Sequence, residues 1–217
     1  MNTEKARFNM IEQQIRPWDV LDPAVLELLA IVKREDFVPP ALRALAFVDT
    51  EVPLPAGQYM LTPKVEARLL QELAVHKHER VLEVGAGSGY MAALLAHKAQ
   101  AVTSLELIPE LVRLATDNLR RAGVLNAAVV QANGALGLPA EAPFDVIVLS
   151  GSVPDVPQTL LAQLKVGGRL IAIVGEEPVM RAVLMTRTSE QGLDRRVLFD
   201  TVAPRLQGFA EPSRFHF

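Results

Sequence analysis

Apolar and polar positions along the 217-residue chain fall into two textures. From about Asn2 to Gln58 the pattern is helical, broken by polar turns. Asp22-Pro23 reads as an N-cap followed by proline at the first helical position, opening a helix with Val25, Leu26, Leu28 and Leu29. The run Phe37-Val38-Pro39-Pro40 forbids its continuation. A short helix is expected over Ala41 to Ala46, then an extended loop from Val52 to Gly57. Thr62-Pro63 repeats the start signal, and Val65, Leu69, Leu70 and Leu73 fall on one face of the helix that follows.

From Arg80 onward short apolar runs alternate with amphipathic stretches. Strands are predicted at Val81 to Val84, Ala101 to Glu106, Ala127 to Gln131, Phe144 to Leu149 and Arg169 to Val174. Helices are predicted at Tyr90 to His97, from Pro109 with Gly123 as terminator, and from Pro157 to Leu164 before Gly167-Gly168. The strand predicted over Phe144 to Leu149, apolar except for Asp145 near its start, suits one covered on both faces. Val179 to Thr188 and Asp194 to Val202 are expected to pair antiparallel at the sheet edge. This order predicts an α/β, Rossmann-like doubly wound and mostly parallel sheet of about seven strands, with an N-terminal helical extension.

Composition narrows the function classes. Half of the residues are hydrophobic, 22% are charged and the formal net charge is −3, as in an ordinary globular protein. Without a run of Lys or Arg the chain lacks the electrostatic footprint of nucleic-acid binding. The chain has no cysteine, which excludes disulfides and thiolate metal sites. With Met1 to Arg16 charged and polar rather than apolar, a cytoplasmic location is expected, with no membrane partner.

Ligands of such sheets bind beyond the carboxyl ends of the strands, so chemistry is sought there. After the first strand of the sheet comes Glu83-Val84-Gly85-Ala86-Gly87-Ser88-Gly89-Tyr90. A dinucleotide fingerprint, Gly-x-Gly-x-x-Gly, would place its third glycine at Tyr90. Here it falls at Gly89, and an acid stands two residues before the first glycine. The segment resembles the nucleotide loop of S-adenosylmethionine-dependent methyltransferases. With no pyrophosphate to cradle, Glu83 suits the cationic amino end of methionine. A tight turn that packs helix on strand would need the same glycines.

Glu106, ending the next strand before Leu107, can accept two hydrogen bonds from vicinal ribose hydroxyls, a placement that also serves NAD. Asn133-Gly134 follows the third strand, where methyltransferases often carry an Asp that receives the adenine amino group. Asn133 retains a carbonyl acceptor, and an Asn-Gly turn is the structural alternative. The candidate cofactor set is Glu83, Gly85, Ala86, Gly87, Gly89, Tyr90, Glu106, Leu107, Asn133 and Gly134. No metal site is expected, since His76 and His78 lack further ligands nearby. Trp18 and Phe215-His216-Phe217 are expected to pack against the body.

A narrower resemblance runs from Asn9 to about Val174. The chain resembles the protein-L-isoaspartate O-methyltransferase family at Met10-Ile11-Glu12-Gln13, Asp22-Pro23-Ala24-Val25-Leu26 and Arg34-Glu35-Asp36-Phe37-Val38-Pro39. It does so again at Pro53-Leu54, Val81 to Tyr90, Ile108-Pro109-Glu110-Leu111, Pro143-Phe144-Asp145 and Gln163 to Leu170. The resemblance implies S-adenosylmethionine as cofactor and isoaspartyl residues of proteins or peptides as methyl acceptor, another small acceptor being the alternative. It implies residues 1–62 as an acceptor-side cap on a cofactor-binding domain of residues 63–217. The departure lies at Gly57-Gln58-Tyr59-Met60-Leu61-Thr62-Pro63, where the family has a serine at the place of Leu61. Thr62 is read as a helix N-cap, or as a displaced catalytic hydroxyl. A cofactor-binding protein with lost or altered acceptor specificity, acting as a sensor or interaction module, is the competing reading. A nicotinamide-dependent oxidoreductase is disfavoured by Tyr90 in place of the third glycine.

Overall fold

The computed structural model describes residues 2–211. Phe215, His216 and Phe217 lie outside them. The chain opens with α1 (Thr3–Met10), a π turn over Ile11–Ile15 and a 3₁₀ turn over Arg16–Trp18, before α2 (Pro23–Ile31). Asp22 caps α2, its side chain accepting from the Ala24 N–H at 2.8 Å, with Pro23 in the first turn. The segment Pro40–Phe47 winds as a 3₁₀ helix. A two-residue hairpin, β1 (Val52–Pro53) with β2 (Tyr59–Met60), leads into α3 (Pro63–Leu73).

The sheet then forms in chain order: β3 (Arg80–Val84), α4 (Tyr90–Lys98), β4 (Ala101–Glu106), α5 (Pro109–Arg121), β5 (Ala127–Gln131), β6 (Phe144–Val153), α6 (Gln158–Leu161), β7 (Leu164–Glu176), β8 (Val179–Arg187) and β9 (Leu193–Thr201). Its strand order is β5-β4-β3-β6-β7-β8-β9, parallel from β5 to β7 and antiparallel at β8 and β9. The chain winds outward from β3 to β5 and returns to lay β6 beside β3. That reversal is the switch point where open α/β sheets bind ligands.

Three elements differ from the sequence expectation. β6 runs on to Val153, β7 begins at Leu164, and the helix between them shrinks to Gln158–Leu161. The cause is a bulge: Phe144 pairs with Leu164 and Val146 with Arg169, so residues 165–168 loop out while still belonging to the strand. Gly168 permits it, because a Cβ there would lie 2.9 Å from the Lys165 carbonyl and 3.0 Å from that of Asp145. The Gln163 side chain holds the shortened helix, donating to the Leu136 and Thr159 carbonyls and accepting from the Leu138 N–H.

The period-2 alternation of the strands sorts their side chains onto two faces. Val81, Val146, Val148 and Ile171 join one buried cluster with α3, α4 and the N-terminal segment. Leu82, Val84, Ile147, Leu149 and Leu170 join the other, under α6. The first cluster runs unbroken from Met10, Ile15 and Phe37 to Leu69 and Leu94, so the segment from Met10 to Leu61 and the sheet share a core. Trp18 packs edge-on to Phe199 at 6.5 Å, with Lys64 Nζ 4.0 Å from the centre of its ring. No helix among the described residues is long and apolar enough to cross a membrane.

Two buried ion pairs fasten the N-terminal segment. Arg7 pairs with Glu35, and Arg34 donates through Nε to Glu66 Oε2 at 3.1 Å. Arg34 also donates to the Leu61 carbonyl at 2.6 Å and the Ala46 carbonyl at 3.3 Å. Removing one partner of a buried pair leaves the other charge uncompensated. Arg34→Met should therefore destabilise the chain by about 3 kcal/mol in urea unfolding at pH 7, the low end of such losses because Glu66 can take up a proton.

Candidate functional site

β3 delivers the chain to the glycine turn, and β4 holds it there. The N–H groups of Gly85 and Ala86 both donate to the Leu105 carbonyl, at 2.8 and 3.2 Å. Gly85 and Gly87 sit at φ +91° and +53°, which L side chains resist, so the bare backbone faces a cleft. Gly89 serves packing instead: a Cβ on it would lie 3.1 Å from the Ala115 carbonyl of α5.

Glu106, 7% exposed, closes the turn from the end of β4. One oxygen accepts from the Gly87 N–H and the other from the Ile108 N–H, each at 3.0 Å. Both oxygens are thereby fixed and keep a lone pair for a ligand. The cleft beside them is walled by Val84, Gly85, Gly87, Leu105, Glu106, Leu107, Ile108, Leu111, Gly134 and Ser150. Gly134 lies so close to β3 that a Cβ would overlap Val84.

Other candidates take different places. Ala86 and Tyr90 line a second, small cavity beside the turn, together with Leu61, Glu66 and Glu83. Asn133 is not on the cleft wall. Its side-chain oxygen accepts from the Ala135 N–H at 3.1 Å, capping a 3₁₀ turn, and faces Gly208. Thr62 corrects one expectation. It occupies the N-cap position of α3, but the Val65 and Glu66 N–H groups both go to its carbonyl and its hydroxyl caps nothing. That hydroxyl is buried without a partner among the described residues, and Leu61 rather than Thr62 reaches the cavity. His76 and His78 stack on each other, ring centres 5.9 Å apart, and no group of three metal-ligating side chains occurs among the described residues.

Several residues of the site and the layer behind it gave no sequence signal. Ser104 and Ser150 each donate to Glu83, at 2.6 and 2.7 Å, from the strands on either side of β3. Leu206 and Gln207 complete the cleft from the C-terminal segment. That segment is tied to the end of β6 by Ser152 N–H to the Pro204 carbonyl and Leu206 N–H to the Ser152 carbonyl. Gln58 and Tyr59 face the cleft from the hairpin.

Burial pushes the Glu83 carboxyl up to about 7 against the opposing hydrogen bonds of Ser104 and Ser150, with repulsion from Glu106 and Glu66 adding to the rise. Glu66 is likewise raised to about 7 by burial, with Arg34 opposing. Both acids thus hold protons more tightly in the folded chain than at their ordinary value of 4.5. The unliganded protein should lose stability as pH rises from about 4.5 to beyond 7, by up to roughly 3 kcal/mol for Glu83 alone. Glu83→Gln should flatten that decline in urea midpoints between pH 5 and pH 8. A wild-type midpoint independent of pH over this range contradicts the assignment.

Comparisons with known proteins converge on one family and its fold. The family profile "Protein-L-isoaspartate(D-aspartate) O-methyltransferase (PCMT)" matches residues 5–202. A protein-L-isoaspartate O-methyltransferase of Methanoculleus marisnigri is 43% identical over 171 residues, 79% of this chain and 78% of its own. A solved structure titled protein-L-isoaspartate O-methyltransferase superposes with a TM-score of 0.78 at 25% identity, covering 95% of this chain and 66% of that longer one. A Plasmodium falciparum structure solved in complex with S-adenosyl-L-homocysteine shares the fold, with a TM-score of 0.79 at 22% identity over 95% of this chain and 99% of that one. With residues 5–202 matched, the chain belongs to the protein-L-isoaspartate(D-aspartate) O-methyltransferase family.

Proposed function

We propose that this chain transfers the methyl group of S-adenosylmethionine to the side-chain carboxylate of L-isoaspartyl residues in proteins or peptides. The observation that carries the reading is Glu106, its two oxygens fixed by the Gly87 and Ile108 N–H groups at the mouth of the glycine turn. A carboxylate held in that way matches the cis-diol of a ribose. Leu107, Ile108 and Leu111 offer an apolar wall for a purine, and Gly134 lets the opposite wall approach β3. The residues present fit the cofactor.

S-adenosylmethionine supplies an electrophilic methyl group on a sulfonium. Transfer forms an oxygen–carbon bond and breaks the carbon–sulfur bond, whose electron pair stays on sulfur, leaving a methyl ester and S-adenosylhomocysteine. A carboxylate is already nucleophilic, so the chain's own residues have to orient the acceptor and exclude water. The hairpin of β1 and β2, with Leu54, Tyr59 and Leu61, stands over the cavity beside the turn and supplies apolar cover.

Leu61 favours a second reading in which the acceptor differs. It is buried at the place where the resemblance calls for serine, and it offers no hydroxyl to an acceptor carboxylate. Labelled S-adenosylmethionine incubated with an isoaspartyl peptide and its aspartyl counterpart separates the readings. The first predicts label on the isoaspartyl peptide alone, and no label on either leaves only the second. Leu61→Ser should raise kcat/KM for the isoaspartyl peptide about tenfold, the worth of one hydrogen bond to a charged group. Glu106→Ala should weaken S-adenosylhomocysteine binding about a hundredfold by calorimetry, since it removes a bidentate charge-assisted contact.

A further inference from the structure

The cleft under Glu106 and the small cavity beside the glycine turn meet at four residues, Tyr59, Gly85, Gly87 and Ser150, which line both. Gly85 and Gly87 bring bare backbone to this neck, Ser150 comes from β6 and Tyr59 from β2. The hairpin is seated on the turn, since a Cβ on Gly87 would lie 3.4 Å from Leu54 Cδ1. The Leu54 N–H in turn donates to the Gln58 carbonyl at 2.8 Å, which fixes the chain next to Tyr59.

This lining is hostile to an anion. Glu66, Glu83 and Glu106 line the two spaces, and among the described residues no Lys, Arg or His does. Burial raises Glu66 and Glu83 to about 7, which removes part of their negative charge without providing a cation. Arg34 is spent on Glu66 and on the Leu61 and Ala46 carbonyls. A carboxylate entering at the neck therefore depends on a neutral donor.

Few donors can serve. The Ser150 hydroxyl gives its proton to Glu83 at 2.7 Å. Gln58 and Gln207 line only the cleft, whereas Ser88 and Tyr90 line only the small cavity and are buried. Thr62 lines neither. Tyr59 lines both and is 47% exposed, so a ligand arriving from solvent can reach it.

We propose that Tyr59 binds the methyl acceptor, its phenol donating a hydrogen bond to the acceptor carboxylate where cleft and cavity meet. The inference rests on the reading of the chain as an isoaspartyl methyltransferase. It also supplies, two residues earlier in the chain, the donor that Leu61 lacks. Methyl transfer discharges the carboxylate, so this hydrogen bond is at full strength before transfer and weakens as the oxygen–carbon bond forms. Such a contact serves acceptor binding rather than the rate of transfer.

Tyr59→Phe removes only the hydroxyl of a half-exposed ring, so its melting temperature should match the wild type's. Calorimetric titration of an isoaspartyl peptide into protein saturated with S-adenosylhomocysteine should show binding about tenfold weaker in Tyr59→Phe. S-adenosylhomocysteine itself should bind both proteins within about twofold. In turnover the loss should fall on KM for the peptide, with kcat within about twofold of the wild type's. Unchanged peptide binding in Tyr59→Phe overturns the inference alone, and so does an equal weakening of S-adenosylhomocysteine, which would make Tyr59 a cofactor contact. A wild type that binds S-adenosylhomocysteine but neither binds nor methylates the isoaspartyl peptide overturns the acceptor reading and the inference with it.

Discussion

The guanidinium of Arg34 is the contact on which the rest of this structure depends. It comes from the stretch between α2 and the 3₁₀ segment, yet it bonds to a carboxylate on α3 and to carbonyls at Leu61 and Ala46. Four pieces of chain that share no hydrogen-bonded sheet are thereby fixed relative to one another. Its burial alone would be prohibitive, and full pairing makes it tolerable. Because Leu61 and Glu66 also face the cavity beside the glycine turn, the geometry of that cavity is inherited from this one side chain.

The same region shows how stability and function are traded. A buried ion pair and a buried carboxylate, Glu83, stand where apolar residues would pack at lower electrostatic cost. Glu83 is tolerated because the serines of β4 and β6 each donate to it, and these strands flank β3 at the switch point of the sheet. A topology chosen for its crevice thus also supplies the hydroxyls that hold an acid within it. Sites of this kind are expected to carry charge that the fold alone does not need.

Much of this was legible along the chain, and the parts that were not have physical reasons. Alternation and proline-capped helices predict the element order, since those signals are local. Glycine spacing and the strand-end acid locate Glu106, because both sit at a fixed offset from a strand terminus. The bulge between β6 and β7 was hidden, as residues 165–168 read as a loop and only their register shows them to belong to the strand. Ser104 and Ser150 look like ordinary strand positions, and their aim at Glu83 depends on which strands become neighbours. Thr62 shows the reverse case, a local capping signal whose hydroxyl the turn's own backbone bonds leave idle. Leu206 and Gln207 follow the last strand by several residues, and nothing local tells that they return to the cleft.

That return has a consequence for how the protein comes into being. The cleft draws its walls from Gln58 through Gln207, with Leu206 lying over Gly85 and Gly151 and its backbone paired to β6. In synthesis order Leu206 and Gln207 follow every other wall residue, so the cleft stays unfinished on that side until they have been made. Ligand binding can then reward only the finished fold, and it stabilises that fold by mass action. Leu206 and Gln207 are thus the pieces whose arrival closes one side of the crevice.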